Sequence, residues 1–473
     1  MESEAPHQDG LVVDTLDKVF GSLEPREKSL SSELYRMLVW LGYCILFLPW
    51  YIVFSLHNLI RPVNCLALKE NYVLFLPNLG QNLAGMFELV SKMPGVAIVM
   101  TCPHTVPLKR LQDHLSKARH EKLQVLPLHW LRFVHYSQLA EYIRYGFSLC
   151  RRYGNSRVNP ARLVFLLVKF SFYGIAVARM RDGAFKKILS CYPAVIVSAR
   201  PKSHYGNLPF LYAAREKHIP AYYLAHTHID ASAHFHYQVF RPGTFDAFFL
   251  LSRSCREVAN KNFKPDAEIV VSGDPCLDRG ADARLPVRNS AGKLRVIYAA
   301  STFYGQDSMC DLARVARELE DVELIVKSRP PGRNTAEINR LLGEHAKDVV
   351  VLDHADTGPI EDILDDIDVV VGCATNSLVS CLLRGRPGIA YINDIDREII
   401  ASRNMERLPY EEFGIPVISE VSELKPLLRK LTSFKERQAF LEYQLDQANR
   451  QYPNLQGSNA SDVILERVLQ HLQ

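Results

Sequence analysis

Short, uninterrupted apolar runs followed by helix-like segments recur along this chain of 473 residues. Runs of this length without polar alternation are typical of strands buried on both faces, and their alternation with helices predicts βαβ units in a mainly parallel sheet. In the first half of the chain, a glycine-containing loop opening into a helix is predicted over 78–93. Strands are predicted at 71–77, 95–100, 194–199, 221–226, 247–252 and 267–273.

The alternation restarts after the polar segment 279–293, which we interpret as a linker because it contains Gly, Pro, Asn and Ser. Further strands are predicted at 294–301, 322–328, 348–354, 368–374 and 387–392. Helices are predicted at 307–320, 358–367, 375–385, 422–449 and 460–472.

The length and this rhythm predict an α/β chain with two Rossmann-like domains facing a cleft, preceded by an N-terminal membrane-associated helix. The predicted parts are a polar tail, a membrane anchor, an N-terminal Rossmann-like domain, a linker, a C-terminal Rossmann-like domain and C-terminal helices. Their boundaries are 1–37, 38–62, 63–280, 281–293, 294–440 and 441–473.

The anchor prediction rests on residues 38–60, 23 positions without Asp, Glu, Lys or Arg. About 20 apolar residues in a helix cross a bilayer core. Arg36 and Arg61 flank the run, and its tryptophans are suited to the interface. Pro49 would kink a helix, which leaves a single span or a re-entrant hairpin. A buried core helix is the structural alternative.

Charge is distributed unevenly along the chain. Residues 101–187 hold sixteen Lys or Arg against four Asp or Glu, whereas 307–370 hold sixteen acids against seven bases. This suggests an anionic partner on one side only, unless solvated faces simply vary in charge. Within the basic part, residues 162–181 fit either a basic amphipathic helix on a membrane or a core helix. The ten cysteines form no CxxC pair, which argues against a zinc or redox box.

Polar residues follow several predicted strands of the second half, where ligands of parallel sheets bind. Lys327 and Arg329 lie at i and i+2 on one strand end, where they would hold a diphosphate or form a surface pair. Ser301 and Thr302 follow another strand. Thr375, Asn376 and Ser377 open a helix, as a phosphate site or as an ordinary N-cap.

In the first half, histidines 226, 228, 234 and 236 are clustered, and His226 comes directly after a strand. Histidine is the usual general base near neutral pH, whereas zinc needs three or four converging ligands. We interpret His226 as a base and His228 as a cleft residue; core histidines and a metal site are the alternatives. We interpret Asn78, Gly80 and Gln81, which follow the predicted strand 71–77, as a further cleft loop.

Four segments together resemble the GT-B superfamily: "VVSGDPCLD", "IYAAST", "LIVKSRPPG" and "DILDDIDVVVGCATNSLVSCLLRGRPGIAYI". Over residues 71–440 the chain is similar to the CDP-glycerol glycerophosphotransferase and capsule-polysaccharide transferase group. That group builds teichoic acids, capsules and related surface polymers on the cytosolic membrane face. The UDP-N-acetylglucosamine 2-epimerases share the fold, but they are soluble, and the apolar run argues against them.

The resemblance implies that the N-terminal Rossmann-like domain (63–280) is the acceptor domain and that the C-terminal one (294–440) is the nucleotide-donor domain. It also implies roles for specific residues. The family's base falls on His226, with Thr227 where the family has glycine. Its phosphate-gripping lysine and histidine fall on Lys327 and Arg329, and its hydroxyl pair falls on Asn376 and Ser377.

The resemblance also implies a bacterial, membrane-associated glycosyltransferase of cell-envelope polysaccharide biosynthesis. We expect it to use a nucleotide-activated sugar donor and a polyprenyl-phosphate type lipid-linked or polymer acceptor. Its domains would lie on the cytosolic side of the inner membrane, with other envelope-biosynthesis enzymes as partners, and without metal, cofactor or nucleic acid. The alternatives are a glycerophosphate or polyol-phosphate transferase of the teichoic-acid type, a non-catalytic GT-B scaffold subunit, and a zinc hydrolase.

Overall fold

The structure is a computed structural model of the 473-residue chain. The residues that it describes are 30–60, 72–76, 89, 92–93, 96–100, 123–127, 139–154, 159–179, 192–199, 211, 214–215, 217–225, 245–262, 267–275, 278, 285–289, 292–300, 305–328, 335–357, 360–402, 410–452 and 459–472.

Three helices from the first part of the chain pack together: α1 (Leu30–Ile60), α2 (Leu139–Tyr153) and α3 (Pro160–Arg179). Their common core includes every fourth residue along one face of α1, and we call these residues the seam of α1: Val39, Tyr43, Phe47 and Tyr51. This spacing is that of one helix face. α1 continues through Pro49 as one helix, so the re-entrant hairpin predicted as one option for 38–60 is wrong. The backbone is helical on both sides of Pro49, which leaves no turn at which the chain could reverse.

The first sheet has seven strands, all parallel where their pairing is described, and its order is β3-β2-β1-β4-β5-β6-β7. The strands β1, β4, β5 and β6 are buried throughout, as expected of parallel strands covered on both faces. Helix α4 (Arg253–Asn262) links β6 to β7. The strands are β1 (Val73–Leu76), β2 (Val96–Met100), β3 (Leu123–Pro127), β4 (Val195–Ser198), β5 (Ala221–Leu224), β6 (Ala247–Leu250) and β7 (Glu268–Val271).

The second sheet has six parallel strands in the order β10-β9-β8-β11-β12-β13. Its central strands β8, β11 and β12 are almost fully buried and form the middle of a large apolar core. The strands are β8 (Leu294–Ala299), β9 (Val322–Lys327), β10 (Val349–Leu352), β11 (Val369–Gly372), β12 (Gly388–Tyr391) and β13 (Val417–Ile418).

Helices alternate with the strands of the second sheet, as the predicted βαβ rhythm requires. They are α5 (Gln306–Arg317), α6 (Thr335–Leu342), α7 (His354–Thr357), α8 (Ser377–Leu383), α9 (Asp394–Ser402), α10 (Val421–Leu431), α11 (Phe434–Gln451) and α12 (Ala460–Leu469). Short 3-10 helices occupy Gly343–Asp348, Ile360–Asp366 and Glu411–Phe413.

The fold class predicted from the sequence, two α/β parallel sheets with an N-terminal apolar helix, is confirmed. Two helix predictions need correction. Residues 422–449 form two helices because the chain turns extended at Ser433, the N-cap of α11. Residues 358–367 hold a 3-10 helix instead of an α-helix. The predicted domain boundaries stay predictions, although the one at 440 falls inside α11.

Candidate functional site

The carboxyl edge of the second sheet carries those predicted ligand-binding residues that the structure describes, Lys327, Thr375, Asn376 and Ser377. Three neighbouring strands end in register there: Lys327 of β9 pairs with Ala299 of β8, which pairs with Gly372 of β11. Segments that follow these strands therefore leave the sheet side by side. This alignment places Lys327 and the turn that carries Thr375, Asn376 and Ser377 at the same edge of the sheet, one strand apart.

Lys327 is held inside the protein at this edge, with 3% of its surface exposed. Its Nζ donates a hydrogen bond of 2.6 Å to Thr357 Oγ1, at the end of α7. That hydroxyl in turn donates to the carbonyl oxygen of Asp353 at 2.7 Å. The burial rules out the surface-pair alternative for Lys327. A cation in such a low-dielectric environment interacts more strongly with an anion than one in water.

The turn between β11 and α8 is tight and unusual. A Cβ on Gly372 would lie 2.7 Å from Cγ2 of Thr375, so the close approach requires glycine. Ala374 has a φ of 46°, in the left-handed region that non-glycine residues rarely adopt. Such strain persists where surrounding contacts fix the backbone, and it is common at ligand sites.

Thr375 is fixed by a buried tyrosine. Its N–H donates to Tyr410 Oη at 2.6 Å, and Tyr410 donates to the Thr375 carbonyl at 3.0 Å. Burial raises the pKa of Tyr410, so its phenol keeps the proton that it donates. Oγ1 of Thr375 accepts a 3.3 Å hydrogen bond from the N–H of Ser377. The Thr375 hydroxyl thus holds the first residue of α8, beside the N-cap residue Asn376.

Asp396 of α9 organises the start of α5. Its carboxylate, 1% exposed, accepts hydrogen bonds from the N–H of Gly305 at 2.7 Å and the N–H of Ser308 at 3.0 Å. The Ser308 hydroxyl donates to it as well, at 2.7 Å. An anion is favourable at a helix N-terminus. Because the chain supplies its own carboxylate, this N-terminus is already occupied and is not the place for a phosphate.

An acidic cavity of about 320 Å³ lies beside the carboxyl ends of β12 and β13. Asp311, Asp394 and Glu420 line it together with Tyr391 and Asn393. Burial, and then the neighbouring Asp311 carboxylate, raise the pKa of Tyr391. Three carboxylates repel a diphosphate, so the acidic cavity does not fit that group. Within the described part of this edge, the Lys327 side suits a phosphate better.

Several predicted site residues lie outside the described residues: His226, His228, Asn78, Gly80, Gln81, Ser301, Thr302 and Arg329. Their roles stay predictions. Among the described residues, no group of three or more His, Cys, Asp or Glu is arranged to hold a metal.

Sequence reasoning missed Asp396, Tyr410 and Thr357, which hold the edge together. Asn393 and Asp396 follow the predicted strand 387–392, and this position after a strand is the signal that the sequence contains for them. Tyr410 and Thr357 carry no such signal, because their partners are distant in sequence.

A scan against protein-family models and a search of curated proteins each gave no match. Solved structures do resemble the chain. TcCGT1, in complex with UDP, matches with a TM-score of 0.52 and 14% identity over 85% of this chain and 99% of its own. TarM matches with a TM-score of 0.50 and 11% identity over 86% and 99%. TagF, a wall teichoic acid polymerase, aligns over 94% and 99% at 12% identity and a TM-score of 0.48.

The likeness to the first two structures covers almost their whole length, and it includes both sheets of the chain because it spans about 85% of the sequence. Together with the two parallel sheets, it confirms the fold implied by the sequence resemblance: the chain has the GT-B fold of glycosyltransferases.

Proposed function

We propose that the chain is a glycosyltransferase that transfers a sugar from a nucleotide-activated donor to a lipid-linked or polymer acceptor in surface polysaccharide biosynthesis. The observation that carries the proposal is the aligned edge of the second sheet. There a buried lysine ends β9 and a strained turn follows β11, with β8 between the two strands.

The donor would bind through its diphosphate at this edge. Lys327 would balance the phosphate charge, and Arg329, Ser301, Thr302, Asn376 and Ser377 would add hydrogen bonds. Fixed cations next to a leaving phosphate stabilise charge that develops in the transition state. This arrangement needs no metal. One structure with a related fold is a complex with UDP, which supports a nucleotide as the ligand.

The acceptor would be activated by His226, which follows β5 in the sequence. Its imidazole would take the proton from an acceptor hydroxyl while that oxygen attacks the anomeric carbon of the sugar. The bond from this carbon to the phosphate oxygen would break, and the nucleoside diphosphate would leave with the electron pair. Asn78, Gly80, Gln81 and His228 would line the acceptor side.

A lipid-linked acceptor fits a membrane location, and α1 supports one. Among the described residues, the segment Glu33–Leu56 is long and apolar enough to cross a membrane. The basic region 101–187 would face the anionic surface or a polyprenyl diphosphate. We place the catalytic parts on the cytosolic side of the inner membrane, where nucleotide-activated sugars are available.

Replacement of Lys327 by methionine is expected to weaken binding of the donor nucleotide about 10- to 150-fold, because a hydrogen bond to a charged group contributes about 1.5–3 kcal/mol. Binding is measured by thermal shift and titration with CMP, CDP, UDP, GDP and their sugar or polyol conjugates, since a ligand of the native state raises the melting temperature. The preferred conjugate separates a sugar transferase from a polyol-phosphate transferase.

Two control variants separate charge from structure. Thr357→Val removes the hydrogen bond of Lys327 but keeps the ammonium group, so donor affinity should change little. Lys430→Met makes the same substitution at an exposed lysine of α10 and should leave affinity unchanged. If wild type binds a nucleotide and Lys327→Met binds it equally well, the site is not at this edge.

A further inference from the structure

α1 presents a broad apolar surface opposite its packed seam. Leu38, Leu41, Ile45, Trp50, Val53 and Leu56 are each more than half exposed among the described residues. The sequence has no Asp, Glu, Lys or Arg from residue 37 to residue 60. A contiguous surface of this kind marks contact with a membrane or another protein.

The seam of α1 is a protein interface that includes polar contacts. The hydroxyl of Tyr43 donates to the Tyr142 carbonyl at 3.2 Å and is hydrogen-bonded to Ser171 of α3 at 3.0 Å. At Gly146 the two helices approach so closely that a Cβ would lie 2.2 Å from the Tyr43 ring. α1 is therefore not a lone helix that can insert without α2 and α3.

α2 runs antiparallel along most of the apolar part of α1. Gly154 lies beside Arg36, and the ring of Phe147 is 5.9 Å from that of Trp40. At the other end, the ring of Tyr142 is 6.4 Å from that of Tyr51. α2 is thus held alongside α1 from Arg36 to Tyr51.

This pairing fixes where the charges of α2 lie. Arg144 falls between Tyr142 and Gly146, level with the middle of the apolar run of α1, and it is exposed. Two further arginines are exposed: Arg151, which lies toward the Arg36 end of α1, and Arg162 of α3. If α1 crossed the bilayer, Arg144 would lie near the midplane, where an exposed guanidinium is strongly disfavoured.

We propose that α1 lies in the plane of one membrane leaflet, with its apolar surface in the acyl region and α2 and α3 on the aqueous side. The arginines then meet anionic headgroups, and Trp40 and Trp50 lie at the interface that tryptophan favours. This charge complementarity favours lipid over a second copy of the chain, whose same helices carry the same positive charge. The proposal deepens the membrane association proposed above, on which it rests.

The test measures the depth of two positions on the same face of α1. Leu38→Trp and Ile45→Trp are introduced separately into a chain in which Trp40, Trp50 and Trp130 are replaced by phenylalanine. Positions 38 and 45 are seven residues apart and share a face. Tryptophan quenching is recorded in phosphatidylglycerol vesicles that contain phosphatidylcholines brominated at different depths. An in-plane helix gives equal depths within a few Å, whereas a spanning helix gives a difference of about 10 Å.

A second measurement uses the chain without tryptophan substitutions, so that the proposal can still be tested if the variant without its three native tryptophans folds poorly. Epitope tags at both termini are exposed to protease in inside-out vesicles from expressing bacteria. An in-plane helix leaves both tags on the cytosolic side and both are cleaved, whereas a span protects the N-terminal tag. Protection, or unequal depths, overturns the proposal.

Charge supplies the matched control. The double variant Arg144→Glu/Arg151→Glu should bind phosphatidylglycerol vesicles roughly tenfold or more weakly than the wild type. The control is the double variant Arg340→Glu/Arg429→Glu, at exposed positions of α6 and α10, and its vesicle binding should not weaken. Absence of vesicle binding by the wild type would overturn the proposal and indicate a protein partner for α1. Nucleotide binding by the same variants in detergent shows separately whether the proposed function fails.

Discussion

Replacement of Arg437 by methionine is expected to lower the free energy of unfolding by about 3–5 kcal/mol, because it leaves a buried charge without its partner. Arg437 is 2% exposed, and its Nη2 lies 3.5 Å from a carboxylate oxygen of Asp368, whose side chain is fully buried. The guanidinium also donates to the Leu431 carbonyl at 2.7 Å and to the Arg288 carbonyl at 2.6 Å. It therefore ties the segment before β8 to α11.

The loss is measured as a shift in the midpoint of urea unfolding. Lys430→Met is the control, since its ion pair with Glu436 is exposed and should contribute no more than about 1 kcal/mol. Adding Asp368→Asn to Arg437→Met removes the unpaired charge and should recover part of the stability. A loss for Arg437→Met no larger than that for Lys430→Met would contradict this account of the pair.

Replacement of Asp396 by alanine should cost about 3 kcal/mol. It leaves the N–H groups of Gly305 and Ser308 and the Ser308 hydroxyl without their acceptor, and a buried unsatisfied group costs about 1–3 kcal/mol. It also removes a negative charge from the N-terminus of α5. Thermal unfolding measures the loss.

Asp394→Ala, two residues earlier on α9, is the matched control. The Asp394 side chain is largely exposed and lies 4.0 Å from Arg397, so its removal should change stability by less than about 1 kcal/mol. Equal melting temperatures for Asp394→Ala and Asp396→Ala would show that the hydrogen bonds to α5 contribute little.

The sequence predicted the strands that carry continuous apolar runs, because burial on both faces leaves a clear signal in strands such as β4, β8 and β11. It missed β3 and β13. Both lie at the ends of their sheets. β3 contains Gln124 and ends at Pro127, residues that an edge strand tolerates and a central strand does not. β13 has two residues, too few for any periodic pattern.

The candidate site was predictable where chemistry follows a strand directly. Lys327 and the turn at 375–377 were found in this way, and the pairing of β9, β8 and β11 aligns the strand ends that precede them. Lys327 and Thr357 are 30 residues apart in the sequence, and Thr375 and Tyr410 are 35 residues apart. A local sequence pattern therefore cannot predict these two contacts.

The apolar run near the N-terminus was also predictable, but its surroundings were not. Hydropathy identifies residues 38–60 without indicating that α2 runs beside them. The close approach at Gly146 and the polar contacts of Tyr43 arise only when the helices pack. Because these contacts hold α2 along α1, a spanning α1 would carry the exposed Arg144 into the bilayer, whereas an α1 that lies on the membrane would not.

The central claim, transfer from a nucleotide-activated donor, is tested most directly by measuring release of free nucleoside diphosphate. Purified protein is incubated with each nucleotide sugar in turn, with and without a lipid extract from bacterial membranes as the acceptor source. We expect one donor to release its nucleoside diphosphate when the extract is present, and His226→Ala to abolish release while retaining donor binding. Donor binding without release under all conditions, together with unaltered cellular function of His226→Ala, would contradict catalysis and favour a scaffold.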